Sequence, residues 1–91
     1  MIVRILSSNL AEKVGKLIEL DIEREMTIED LKREIARRYD VEDEFSERFY
    51  YNFSVNGKLI RQEEFKTYKL KNSDEVIIMP SIAGGRYEGE R

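Results

Sequence analysis

The sequence contains neither cysteine nor histidine. Without cysteine there is no disulfide framework, thiol nucleophile or thiolate metal site. Without histidine a Ser-His-Asp triad, a Cys-His pair and a histidine metal centre are all excluded. Long apolar runs are missing too, and Arg4 interrupts the first short one, so neither a membrane span nor a signal peptide is expected and a cytoplasmic location is the default. Paired carboxylates are the catalytic chemistry that remains. Glu42, Asp43, Glu44 and Glu47 crowd one polar segment with no sign of a pocket, and they read as a solvated acidic face. Calcium-loop spacing is absent. The chain is therefore read as not an enzyme by itself, with no metal or cofactor of its own.

What is present suits one small folded domain. The chain has 91 residues, of which 41% are hydrophobic and 38% charged, enough apolar content for a modest core. A net charge of −3 and a pI near 5.1 weigh against nucleic acid, which rewards basic surfaces. Lys66, Lys69 and Lys71 near Tyr50 and Tyr68 form no recognised binding motif and are set aside.

Periodicity gives the order of elements. Met1 to Ser7 reads as a strand with Val3 and Ile5 facing inward and Arg4 outward. Ser8-Asn9 offers capping side chains, Leu10, Ala11 and Val14 have helical spacing, and Gly15 supplies a stop, which predicts a single helical turn. Lys16 to Ile22 alternates as a strand with Ile18, Leu20 and Ile22 on one face, so the first two strands form a hairpin. The clearest helix follows. Thr27 is its N-cap, with Asp30 three residues later. Glu29 and Asp30 stand at its start and Arg37 and Arg38 at its end, as the macrodipole favours. Ile28, Leu31, Ile35 and Tyr39 form one apolar stripe, expected to be core and to lie across the hairpin.

Asp40 to Arg48 reads as an acidic connector tethered by Phe45. Phe49, Tyr51, Phe53 and Val55 then alternate with Tyr50, Asn52 and Ser54 as a half-buried strand. Asn56-Gly57 is a hairpin turn signal, with Lys58-Leu59-Ile60 as the return strand. Arg61 to Lys71 is a polar segment anchored by Phe65, Tyr68 and Leu70, and Asn72-Ser73-Asp74 turns the chain into its last strand. In that strand Val76 and Ile78 should face the helix and Ile77 and Met79 the opposite side. Pro80, the only proline, cannot donate to a ladder and should end it. Ile82 to Gly85 reads as a thin arm beyond it, because paired glycines can thread a channel too narrow for side chains.

Hairpin, helix, hairpin, last strand and Gly-Gly is the order of the ubiquitin-like β-grasp. Three groups of residues make the chain resemble the small subunit of molybdopterin synthase and its relative, the thiamine-pathway sulfur carrier. They are Leu10 to Gly15 after the first strand, Ser54-Val55-Asn56-Gly57 at the second hairpin, and Leu70 followed by Asp74-Glu75-Val76 and Pro80 to Gly85. The resemblance covers residues 1 to 85. It implies an α+β fold with a mixed four- to five-stranded sheet and one main helix packed across one face. The domain would occupy residues 1–81, with residues 82–91 as a flexible arm.

The same resemblance implies a function. Gly85 would be the acyl attachment point, adenylated by a partner activating enzyme with ATP and converted to a thiocarboxylate for molybdopterin or tungstopterin synthesis. Gly84 would give access to the catalytic channel. Implied partners are that activating enzyme, the large subunit of molybdopterin synthase and a processing protease, with no nucleic acid or membrane. Ile77, Met79, Leu17, Tyr50 and Ile82 are the expected partner-binding residues. The sequence departs from the family pattern after Gly85, where Arg86 to Arg91 follow and leave that glycine in an amide bond. An amide cannot be adenylated, so sulfur chemistry requires the six residues to be removed. The alternatives are a protein modifier processed after Gly85 and joined to lysines, or a β-grasp binding module without acyl chemistry. Ser81, where a second proline is frequent, is a smaller departure.

Overall fold

The computed structural model describes residues 1–45 and 51–80. Its main sheet has five strands in the order β2-β1-β7-β4-β5. These are β1 (Ile2–Ile5), β2 (Leu17–Glu19), β4 (Tyr51–Val55), β5 (Lys58–Ile60) and β7 (Glu75–Pro80). The central pair, β1 and β7, is parallel, and the other pairs are antiparallel. Two further strands, β3 (Met26–Thr27) and β6 (Lys69–Leu70), form a separate two-stranded ribbon. With the helices α1 (Ser8–Val14) and α2 (Ile28–Tyr39) this is the α+β architecture of a ubiquitin-like β-grasp.

The expected periodicities locate the core. Val3, Ile5, Ile18, Phe53, Val55, Val76 and Ile78 on one face of the sheet are buried with Ile28, Leu31 and Ile35 of α2 in one apolar cluster. Tyr39, at the end of the stripe, is only partly buried. Thr27 and Asp30 form a complete capping box: each side chain accepts from the other's backbone N–H at 3.1 Å. The helix ends at Asp40, whose left-handed backbone, φ 57°, turns the following Val41 N–H back to Ala36 O at 3.0 Å. Asn56 and Gly57 both have positive φ, 52° and 87°, the requirement of a type I′ hairpin turn.

Three features of the secondary structure differ from the sequence expectation. The helix after β1 is seven residues long rather than one turn, and its cap is Ser7, not Ser8 or Asn9. The second strand is shorter than Lys16 to Ile22 because Ile22 finds another partner. Its N–H donates to Asn72 Oδ1 at 2.8 Å and its carbonyl accepts from Asn72 Nδ2 at 2.7 Å, so one side-chain amide replaces a strand. Within Arg61 to Lys71, Phe65 and Leu70 are buried as expected. Yet Lys69–Leu70 also bridges to Met26–Thr27, a pairing without periodicity for a pattern to register.

Two of the sequence motifs meet in space. Asp74, 7% exposed, accepts from Asn56 Nδ2 at 2.9 Å and from Lys71 N–H at 2.8 Å. Asn56 Oδ1 in turn accepts from Glu75 N–H at 2.9 Å, and Asn56 N–H donates to Glu75 O at 2.8 Å. The hairpin turn is thereby pinned to the start of β7. Hydrogen bonds to a charged group contribute about 1.5–3 kcal/mol each when their loss strands a buried partner.

The acidic connector is not solvated throughout. Glu42 and Asp43 are exposed, but Glu44 accepts from Lys13 Nζ at 2.6 Å and from the Tyr51 hydroxyl at 3.0 Å. Phe45 tethers the segment as expected, with its ring centroid 5.4 Å from that of Tyr51. Glu44 joins α1, the connector and β4, and a pattern of charges along the chain carries no trace of such a tertiary bond. The Lys13 and Tyr51 hydrogen bonds hold the Glu44 carboxyl below the usual carboxylate range. A carboxyl depressed by folding stabilises above its unfolded pKa of about 4.3, and that contribution disappears as pH falls through the folded value. The Glu44→Gln variant should therefore be less stable than the parent at neutral pH. The gap should close below about pH 4, as read from urea unfolding of both proteins across pH. A gap independent of pH would contradict this role. The comparison isolates Glu44 from Asp30 and Glu34, whose carboxyls are depressed in the same sense by Thr27 and by Arg37 respectively.

Candidate docking face and C-terminal strand

The strand β7 holds the centre of the sheet and carries the chain out of it. Parallel pairing joins Val3 to Val76 and Ile5 to Ile78, while antiparallel pairing joins Phe53 to Ile78 and Tyr51 to Pro80. Val76 and Ile78 are fully buried against the helix side, and Ile77 and Met79 are half-buried on the other face, as the alternation predicts. Pro80 is the last residue of β7 and is exposed. Its ring ends the ladder without stranding a donor.

Register assembles the face away from the helix. One row across the sheet runs Leu17, Arg4, Ile77, Ser54, Leu59. In the next, Met79 lies opposite Asn52, and Leu6 N–H donates to Ile78 O at 2.8 Å, which extends the parallel pairing one residue past β1. Leu6, Leu17 and Leu59 are 61%, 49% and 57% exposed. Solvent-facing leucines grouped around Ile77 and Met79 form an apolar patch, the kind of surface that marks an interaction site. Ser54 is buried in its midst at 7% because Ile77 and Leu59 flank it. Arg4, between Leu17 and Ile77 in the row, pairs with Glu75.

Of the partner-binding residues expected from sequence, Ile77, Met79 and Leu17 are brought together on this face. Tyr50, Ile82, Gly84 and Gly85 lie outside the described residues. Leu6 and Leu59 are additional members. Their signal was the same two-residue alternation: if Val3 and Ile5 point inward then Leu6 points out, and the Asn-Gly turn sets Leu59 opposite Ser54. Among the described residues no group of His, Cys, Asp or Glu is arranged to hold a metal ion, and no helix is long and apolar enough to cross a membrane.

A comparison with protein families decides the affiliation. The ThiS family model matches residues 5–85. The chain belongs to the ThiS family. Members of this family are small ubiquitin-like sulfur carrier proteins rather than enzymes. Among solved structures, SAMP1 from Haloferax volcanii is similar over 93% of this chain and 98% of its own, with TM-score 0.68 and 20% identity. The thiamine biosynthesis protein ThiS from Geobacter metallireducens is similar over 93% of this chain and 100% of its own, with TM-score 0.51 and 19% identity. At that identity the two structures establish the shared fold. No curated protein sequence matches the chain. The family match begins in β1 and ends on the second glycine of Ala83-Gly84-Gly85.

Proposed function

We propose that this ThiS-family chain carries sulfur on Gly85, after removal of residues 86–91, for molybdopterin or tungstopterin synthesis. The observation that carries the reading is the end of the family match at Gly85. A family match that stops at Gly85 supports a working carboxylate at that residue. In this reading residues 1–81 are the β-grasp domain and residues 82–91 an arm. Gly85 stands five residues beyond Pro80, which lets the acyl group reach at most about 18 Å from the end of β7. Gly84 and Gly85 carry no side chain to obstruct a narrow channel. A partner activating enzyme directs the Gly85 carboxylate at the α-phosphate of ATP, releasing pyrophosphate and leaving an acyl adenylate. A sulfur nucleophile then displaces AMP to give the thiocarboxylate. The apolar patch around Ile77 and Met79, with Leu17, Tyr50 and Ile82, is the docking surface for that enzyme and for the large synthase subunit.

The test uses chain ending at Gly85, ATP, an activating enzyme of the sulfur-carrier class and sulfide. The trimmed protein should gain the mass of one sulfur less one oxygen at its terminus, and the uncut protein should stay unchanged. Failure of the trimmed protein with a range of such enzymes would count against sulfur transfer.

A second reading has its own observation. The extension Arg86 to Arg91 suits a precursor that is processed after Gly85 and then joined to lysines as a modifier. Both readings need the same acyl adenylate and differ only in the nucleophile. Recovery of Gly85 in isopeptide bonds to other proteins of the source cell would favour the modifier.

A further inference from the structure

The sheet has one edge that the carrier reading does not use. β2 is terminal in the strand order. Ile5 N–H donates to Lys16 O and Leu20 N–H to Met1 O, both at 2.9 Å, and Val3 pairs with Ile18. The backbone groups of residues 16, 18 and 20 therefore turn toward β1, and those of Leu17, Glu19 and Asp21 turn away from it. Among the described residues no strand pairs with that outward side. It presents three N–H and three C=O groups at the spacing an extended chain can meet.

A cavity of about 530 Å³ opens beside the last of these residues. Its apolar lining is Leu20, Ile22 and Met26, and its far wall is Asp30, Glu34 and Arg38, which stand four apart on one face of α2. Glu25, Asp30 and Glu34 of the lining already meet Lys69, Arg33 and Arg37. Glu19, Asp21 and Glu23, along the edge and the mouth, are exposed and form no ion pair among the described residues. Of the two basic residues in the lining, Arg38 pairs with Glu34 and Arg24 has no ion pair among the described residues, so the mouth carries a negative excess.

We propose that the outward edge of β2 and this cavity together receive an extended, basic segment of a partner protein. Its main chain would pair with Leu17, Glu19 and Asp21 as an added strand. An apolar side chain would enter the cavity over Leu20, Ile22 and Met26, and Lys or Arg neighbours would meet Glu19, Asp21 and Glu23. A second copy of this chain fits poorly. Antiparallel pairing of two β2 edges about Glu19 sets Glu19 against Glu19, and like charges directly opposite destabilise a strand pair. The segment borders the carrier's docking face at Leu17 but leaves Ile77 and Met79 uncovered, and it does not depend on the acyl chemistry.

The experiment is an NMR titration of the full chain with the peptide acetyl-Lys-Val-Ile-Val-Lys-amide. Saturable shifts are expected at the amides of Leu17, Glu19 and Asp21 and at the methyl groups of Leu20, Ile22 and Met26. Hydrogen exchange of the Glu19 and Asp21 amides should slow in proportion to the bound fraction. The same peptide with glutamate in place of lysine should bind at least about tenfold more weakly, and the Asp21→Lys variant should weaken the basic peptide about threefold. Glu19→Pro, which removes one outward N–H from an edge strand, should abolish binding while the folded spectrum persists. No saturable shift, equal binding of the two peptides, or shifts confined to Leu59, Ile77 and Met79 would overturn the proposal.

Discussion

Replacing Phe53 with alanine is expected to lower the stability of the domain by about 3–5 kcal/mol. Phe53 is fully buried and lies at the meeting point of three strands, paired with Ile60 of β5 and Ile78 of β7. Its ring stands edge-on to Phe65, with centroids 5.2 Å apart, an arrangement that adds about 0.5–1.5 kcal/mol to the burial itself. Removing the ring leaves a cavity that β-strands fixed by hydrogen bonds on both sides cannot collapse to fill. A domain of this size has a total stability of about 5–15 kcal/mol, so the variant stands near the limit of folding. Guanidinium unfolding with an unchanged denaturant slope measures the loss. A value below about 1 kcal/mol would mean that the core is not organised around this residue.

Ile77→Asp is expected to act in the opposite manner, on function rather than on folding. Ile77 faces away from the core, between Arg4 on one side and Ser54 on the other. Aspartate is a poor strand former, which costs about 1 kcal/mol, and the folded far-ultraviolet spectrum should survive. At the docking face the effect is larger. A charge set at the centre of an apolar patch must be desolvated under the partner, and central contacts of this type carry 2 kcal/mol or more, about thirtyfold in affinity. With chain ending at Gly85, the KM for the carrier in ATP–pyrophosphate exchange by the activating enzyme should rise about thirtyfold. The kcat at saturation should hold, because the acyl group itself is unchanged. Leu59→Asp, on the terminal strand β5, should have the smaller effect of a rim position. An unchanged KM for the Ile77 variant would move the docking surface elsewhere.

The parts of the fold that were legible in the sequence are those held by local chemistry. Thr27 and Asp30 announce α2 because a capping box is a contact between residues three apart. Asn56-Gly57 announces its hairpin because the turn itself needs positive φ. The facing of Val76 and Ile78 against Ile77 and Met79 follows from the pleat. What escaped is held by contacts between distant residues. Asn72 stands in for a strand beside Ile22, fifty residues away in sequence. Met26–Thr27 and Lys69–Leu70 pair across a loop of chain nearly as wide and are too short to show alternation. Glu44 looks like any other member of an acidic run until Lys13 and Tyr51 are brought to it. The helix α1 was under-read for a local reason: its cap, Ser7, sits among residues that continue the pattern of β1.

The candidate site divides in the same way. Ile77, Met79 and Leu17 follow from alternation, and the register adds Leu6 and Leu59 to complete the patch. The cavity between Leu20–Met26 and α2 has no signature in the sequence at all, since its two walls meet only through the packing of the helix on the sheet. The Gly84-Gly85 pair was the plainest motif in the chain, and the role proposed for it depends on covalent state: carboxylate or amide at one carbonyl carbon.

That state is open to direct measurement. Mass spectrometry of the intact protein from its source cell reports whether the chain stops at Gly85 or runs on through Arg86. The account predicts a population ending at Gly85, as free acid, as thiocarboxylate or joined to a lysine. Material that is always uncut after Gly85 would contradict it.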